Sequence, residues 1–285
     1  MDYESIKNLK AEEFKRLTGV KKSTFQEMVK IVTDYVKTHK KVGRKNKLTI
    51  ENQILLTLDY LREYRTYFYL RKEVGLSESN VCRTIQKIEK ILVESKSLAL
   101  PGKKVLKSSD FFEEAEITVV IDVTETEIER PQRKQKKNYS GKKKKHTKKT
   151  QIVAEQNTSL IICTAYGEGS EHDFTLFKKS KLVIAEKILV CADKGYQGIH
   201  VFHENSQIPH KKKKDQSLTI QQKKENKELA KKRIMIEHIN RKLKVFRILS
   251  SRYRNRKHNF GMRFNLIAGI YNYEVKHREQ LRENL

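Results

Sequence analysis

A chain of 285 residues is long enough to bury one catalytic-sized core and a smaller second one. Its 62 Lys and Arg outnumber 35 Asp and Glu, for a formal net charge of +27 and a pI near 9.8; a surplus spread through folded-looking segments favours nucleic acid over an acidic protein or a lipid surface, because polyphosphate binding releases condensed counterions. Three cysteines without a CxxC pair, Cys82, Cys163 and Cys191, argue against a disulfide scaffold and a thiolate zinc site, and the absence of a signal-like N-terminus or a membrane-length apolar run points to a soluble, intracellular protein.

Residues 1–47 read as helices followed by a connector. Phe14, Leu17, Phe25, Met28, Val29, Val32 and Val36 recur at helical spacing, Ser23 suits the cap of a second helix, and KKVGRKNK at 40–47 is basic and contains Gly. A small bundle that packs on its neighbour or dimerises explains this segment as well as direct DNA contact does.

Residues 48–97 carry a sharper pattern. Thr49 is placed to cap a helix with Ile54, Leu55, Leu58 and Leu61 on one stripe; YRTYFYLRKEVG gives a second short helix ending at Gly75; Ser77 caps a third, with Val81, Ile85, Ile88 and Leu92 as its apolar stripe. Helix, Gly-containing turn and Ser-capped helix is the layout of a helix-turn-helix, in which the last helix enters the major groove by its N-terminal residues. Ser79, Asn80, Arg83 and Lys87 then face DNA. Three short helices that only bundle together are the plainer alternative.

Residues 98–112, with Pro101-Gly102 and Ser108-Ser109, read as an interdomain linker. From 113 to 285 the pattern becomes α/β. Strand-like runs at 117–123, 150–155, 160–166 and 188–192 enclose one helix that starts near His172-Asp173, which predicts a mixed sheet flanked by helices. Between the first two strands, residues 133–149 hold ten Lys or Arg, so a long cationic hairpin loop is expected there, with Lys142, Lys143, Lys144 and Lys145 at its centre. A second cationic run, 211–214, leads into a long helix from about 221 to 249, and the apolar residues of 260–273 suit a closing helix packed on the sheet.

Two acids end apolar strands: Asp122 in ITVVIDVT and Asp193 in ILVCADKG. In an α/β sheet that places both at an edge where ligands commonly bind. On the long helix, Ile236, Ile239, Leu243 and Phe246 form one stripe at about 100° per residue, and Arg233, Glu237, Asn240 and Lys244 form a second beside it, so Glu237 borders the buried face. Singly, Asp122 reads as a turn cap, Asp193 as an Asx-turn residue before Gly195 and Glu237 as a surface charge. Together, three acidic oxygen donors are what a hard divalent cation requires, and two such ions can drive an in-line phosphodiester displacement. A zinc site from Cys191, His200, His203 and His210 is the competing metal reading, and its spacing is irregular.

With VVIDVTETEIERP around Asp122, CADKGYQG around Asp193 and RIMIEHINRKLKVF around Glu237, behind a helix-turn-helix, the chain resembles a DDE transposase of the bacterial insertion-sequence-five family, with Harbinger-type relatives, over about residues 15–275. Arg233, Glu237 and Lys244 resemble the R, E and K of the signature Y-x2-R-x3-E-x6-K; its tyrosine position holds Ala230, so a contact assigned to that tyrosine does not carry over. The resemblance implies an RNase H-like catalytic fold with Asp122, Asp193 and Glu237 as catalytic and metal-binding residues. It further implies two Mg2+ or Mn2+ ions, terminal inverted repeats and target DNA as double-stranded substrates, and a homo-oligomer in a synaptic complex at the bacterial nucleoid. Arg233, Asn240 and Lys244 are then DNA contacts, and His172-Asp173 is a family feature, with capping the simpler role for His172. A derivative that binds DNA without reacting and a general basic nucleic-acid protein are the alternatives.

Overall fold

Side-chain caps decide where the N-terminal helices begin. In this computed structural model, which describes residues 2–39, 46–108, 112, 117–212, 217–255 and 257–283, α1 (Tyr3–Ile6), α2 (Ala11–Thr18) and α3 (Lys22–Thr38) are followed by α4 (Ile50–Glu63), α5 (Tyr67–Val74) and α6 (Glu78–Glu94). Thr49 accepts from the Asn52 N–H at 3.2 Å, Thr66 from Tyr69 and Ser77 from Asn80 at 3.3 Å, each satisfying a donor the helix itself leaves unpaired. Gly75 ends α5 at φ +64°, the left-handed stop that glycine makes cheap. Ser23 does not cap: α3 begins one residue before it, at Lys22, with Lys21 in the cap position and no side-chain cap bond.

The apolar stripes are buried as their spacing requires. Ile54, Leu55, Leu58 and Leu61 of α4 and Val81, Ile85, Ile88 and Leu92 of α6 are at most 1 % exposed, and each such side chain contributes roughly 1.5–3 kcal/mol. Leu17 and Val36, by contrast, remain more than a third exposed. Of the basic connector, residues 40–45 lie outside the described residues, as do 109–111 of the linker and 113–116 at the start of the α/β segment.

The sheet is built from β1 (Thr118–Glu127), β2 (Tyr139–Ser140), β3 (Lys145–Glu155), β4 (Ile161–Glu168), β5 (Leu189–Cys191) and β6 (Ser206–Gln207), with α7 (Gln135–Asn138), α8 (Asp173–Ser180) and α9 (Ile220–Leu243) among them. β1 pairs antiparallel with β3 and parallel with β5; β6 continues parallel beyond β5, and β3 carries β4 and the short β2 on its other side. The result is a mixed sheet flanked by helices, with β3-β1-β5 at its centre. Val119 and Ile121 of β1, Val153 of β3 and Val190 of β5 pack with Phe177, Tyr196 and Ile199 in one core, so the alternate residues, Asp122 included, point from the opposite face.

Two strands run further than their apolar segments. β1 continues to Glu127 and β3 starts at Lys145, so residues 145–149 of the expected cationic loop are ladder, with Glu127 opposite Thr147. The lysines that should disfavour a strand find acids across it: Lys145 pairs with Glu127 at 2.7 Å, Lys148 with Glu168 at 3.3 Å and Lys149 with Asp173 at 2.8 Å. The connection from 128 to 144 that remains contains α7, β2 and a turn at 141–144. Lys257 anchors it, donating to Glu168 at 2.9 Å and to Asn138 Oδ1.

Two further helices complete the chain, α10 (Arg247–Ser250) and α11 (Phe260–Glu283). Neither clusters with the sheet. α11 belongs with the N-terminal helices in a first unit, Met1–Ala99, Leu243–Ser251 and Asn259–Leu285, whereas the sheet and most of α9 form a second, Leu100–Lys242 and Arg252–His258. The reason is specific to α11. Arg263, 1 % exposed, forms a two-pronged pair with the fully buried Glu89 of α6 at 2.7 and 3.2 Å and lies over the Tyr60 ring. Glu274 accepts the Lys21 N–H at 2.7 Å and binds Lys15 at 2.9 Å. At Gly269 the Leu98 carbonyl comes so close that a Cβ would stand 1.8 Å from its oxygen.

Candidate active site

Asp122 lies in the middle of β1, yet at the point where its parallel neighbour has ended. The β1/β5 register stops at Val120 opposite Cys191, and Asp122 and Asp193 each stand two residues beyond that pair. Two carboxylates are thereby set side by side at the carboxyl end of adjacent parallel strands, where an open α/β sheet offers a ligand crevice. Asp193 is fixed by its own loop: it starts a 3-10 turn, and its Oδ1 accepts the Gly195 N–H at 2.7 Å. The Asx-turn role and a place beside Asp122 are thus held by the same residue.

The opposite face of the sheet is met by α9. Asn240 donates from Nδ2 to Asp122 Oδ2 at 3.2 Å, and Arg233 Nη2 stands 3.8 Å from Asp122 Oδ1. Ile236 and Ile239 are buried beneath them, which fixes the rotation of the helix. Glu237 sits four residues past Arg233 and three before Asn240, on the same flank of α9, and it is exposed rather than bordering the core. Lys244 is exposed in the turn after α9 and clusters with the first unit.

Burial is the main reason the Asp122 carboxyl is pushed up to about 6; the Arg233 guanidinium draws it back, and repulsion from Asp193 and Asp173 adds to the rise. Asp173, marked in the sequence only as half of the His172-Asp173 pair, is a further carboxylate near these acids. It opens α8 directly after His172, which occupies the cap position without a side-chain cap bond, contrary to the capping role expected for His172. A Cβ added to Gly195 would stand 3.0 Å from Asp193 Oδ1 and 3.3 Å from Asp173 Oδ2, so these two acids face each other across a glycine. Lys149, nearly buried, holds Asp173 at 2.8 Å and donates to the Glu171 carbonyl at 2.6 Å. Beneath them lies Tyr196 of CADKGYQG, fully buried, its hydroxyl 3.4 Å from Gln151 Oε1 and raised well above its usual range by burial and by Asp173, Asp122 and Asp193. The His-Asp dipeptide just after a strand is the signal that could have found Asp173; nothing local marks Lys149, whose partner is 24 residues away.

Among the described residues no three His, Cys, Asp or Glu side chains already converge as a metal cage. The donor set nevertheless fits a hard divalent ion. It is all oxygen, repulsion between its carboxylates adds to the rise that burial gives Asp122, and beside it the buried Asn240 Oδ1, itself an oxygen donor to a metal, has no hydrogen-bond partner among the described residues. The zinc alternative does not assemble: His203 is buried on the Ile188 carbonyl at 2.6 Å, His210 is bonded to Glu225 at 2.6 Å, His200 is exposed and Cys191 is buried.

In the first unit, Ser79, Asn80, Arg83 and Lys87 are all exposed on α6, opposite its buried stripe. A polar groove of about 680 Å³ at the start of α6 is lined by Asn80, Arg83 and Lys87 together with Lys47 and Ser77. Lys142, Lys143 and Lys144 are exposed in the β2–β3 turn, and Lys145, also exposed, opens β3.

Comparison with known proteins agrees with this geometry. Residues 46–97 match the helix-turn-helix of DDE superfamily endonuclease and residues 121–272 match the DDE superfamily endonuclease. A probable transposase for insertion sequence element IS702 from Microchaete diplosiphon is 52 % identical over 275 residues, covering 96 % of this chain and 99 % of that protein. No solved structure matches. Domains of this kind depend in general on a divalent metal ion. The chain belongs to the DDE superfamily endonucleases, as an insertion-sequence transposase that joins a DNA-binding helix-turn-helix to a nuclease domain.

Proposed function

We propose that Asp122, Asp193 and Glu237 are the catalytic acids of this transposase, and that they cut and join DNA at terminal inverted repeats. The observation that carries this is the β1/β5 register, which sets Asp122 and Asp193 side by side, with α9 tied to Asp122 through Asn240 and Arg233. Glu237 shares their flank of α9 and is the carboxylate free to turn toward the strand ends.

These three acids would hold Mg2+ or Mn2+, as a pair of ions; when bound, such ions activate a water or 3′-hydroxyl and stabilise the leaving oxygen. The protein's own part is positioning. Asn240 fixes the orientation of the Asp122 carboxylate, and the Gly195 N–H does the same for Asp193. Arg233, with an unpartnered Nε, supports a phosphate oxygen beside the acids. Ser79, Asn80, Arg83 and Lys87 read the repeat in the major groove, and Lys142 to Lys145 contact phosphates without reading sequence. Residues 48–97 are the DNA-reading domain, 98–112 the linker, 113–285 the catalytic domain and 1–47 an accessory segment; Lys244, with Arg233, holds DNA. The protein acts as a homo-oligomer on paired ends in the bacterial cytoplasm, at the nucleoid.

The test is a strand-cleavage assay on DNA carrying the element's own ends. With Mg2+ or Mn2+, cleavage at the repeat boundary and transfer to a target duplex are expected. Binding to the repeat with no cleavage in either metal would instead assign a derivative that recognises DNA without reacting.

A further inference from the structure

The second unit carries a groove that the acids do not use. It runs between residues 197–212 and the N-terminal half of α9, with a volume of about 1100 Å³. Four lysines line it, Lys211, Lys212, Lys224 and Lys232, along with several neutral side chains that donate hydrogen bonds, Gln197 and Ser206 among them. Its two carboxylates are already engaged: Glu225 bonds His210 at 2.6 Å and Glu228 bonds Lys231 at 3.0 Å. The groove therefore presents net positive charge, four ammonium groups against two engaged carboxylates. The Ser206 hydroxyl is buried and has no partner among the described residues.

We infer that this groove holds the sugar-phosphate backbone of duplex DNA running on from the scissile phosphate. Continuity with the acids carries the inference. Gln197, at one end of the lining, follows Asp193 across a single 3-10 turn, and Lys232 is the residue before Arg233, which stands against Asp122. The lining thus begins within a few residues of two groups at the acids, Asp193 on one side and Arg233 on the other. Among the described residues the lining contains no Phe, Tyr or Trp, so it lacks the stacking platforms on which unpaired bases are held, and its donors suit phosphate oxygens. The first half of α9 buries little of itself: among residues 221–232 only Leu229 is buried. That explains why a helix so rich in Lys stands beside a groove instead of packing down over it.

The inference rests on the assignment of the acids as a DNA-cutting site, and its test separates the two. In the full-length protein, Lys211, Lys212, Lys224 and Lys232 are changed together to Gln. A control changes Lys223 and Lys227, on the same helix but outside the lining, to Gln, and the effects are compared per lysine removed. Affinity for a random-sequence duplex and for the terminal-repeat duplex is measured against salt concentration. Removing one lysine–phosphate pairing lowers the log–log salt slope by about 0.9, so the groove variant should show a slope smaller by about 3–4 and bind about tenfold or more weakly at physiological salt. The weakening should be equal on both duplexes, and the control should weaken much less. An unchanged slope in the groove variant, or an equal change in the control, overturns the groove. So does an RNA duplex that competes as well as DNA. Lys224→Glu alone, at an exposed helix position, guards against misfolding and should reduce the slope in the same sense. Failure of the unaltered protein to cut repeat DNA would instead remove the catalytic assignment.

Discussion

The buried charges of the two units are handled in opposite ways. In the first, Arg263 and Glu89 are sealed from water but matched prong for prong, with the Tyr60 ring beneath the guanidinium. In the second, Asp122 is held with two other acids close by, one arginine at 3.8 Å, and an arginine Nε and an asparagine oxygen left without partners. A satisfied buried pair holds a helix in place. An unsatisfied cluster of like charges costs stability and is kept for what it binds.

Breaking the matched pair should have the largest effect. Arg263→Ala leaves Glu89 buried and alone and should cost about 3–5 kcal/mol, read from urea unfolding of the full chain; a loss below about 1 kcal/mol would mean that the pair contributes little to holding α11. The unsatisfied cluster should respond in the other direction. The Asp122 carboxyl sits at about 6 when folded against about 3.9 in an unfolded chain, so the folded state holds the proton more tightly. Stability is therefore greater by about 3 kcal/mol below about pH 4 than above about pH 6, and that difference is lost as pH rises between the two. Asp122→Asn should therefore raise the metal-free melting temperature at pH 8 and flatten the stability profile between pH 4 and 6. A variant less stable than the parent at pH 8 would show that Arg233 already neutralises the site.

Smaller changes sharpen the contrast. Ser77→Ala removes the cap of α6 and should cost about 1 kcal/mol, with weaker repeat binding as the helix start frays; calorimetry and a binding titration measure both. Neutralising Lys142 to Lys145 should leave stability within about 0.5 kcal/mol, because the one ion pair it breaks, Lys145 with Glu127, is on the surface. It should weaken binding to all DNA sequences about equally and flatten the salt slope.

Much of the first unit was legible because its determinants are local. Thr49, Ser77 and Gly75 mark helix ends within a few residues of the groups they bond. The adjacency of Asp122 and Asp193 was legible for a related reason: apolar runs ending in an acid suit neighbouring strands of one sheet. What was not legible depends on distant partners. The lysines of 145–149 read as loop until Glu127, Glu168 and Asp173 stand opposite them. The apolar residues of α11 show that it is buried, and only Glu89 and the Leu98 carbonyl show against what. Asp173 was marked only as half of the His172-Asp173 pair, because a helix-opening acid after a strand is ordinary and its neighbours Gly195 and Lys149 approach from elsewhere in the chain.

The central claim is that Asp122, Asp193 and Glu237 act as one site. Its most direct measurement is strand cleavage of terminal-repeat DNA by Asp122→Asn, Asp193→Asn and Glu237→Gln, each compared with the parent in Mg2+ and each first shown to bind the repeat with parental affinity. Loss of cleavage in all three, with binding intact, is the predicted result. Cleavage at the parental rate by any one of them, above all by Glu237→Gln, would contradict the account.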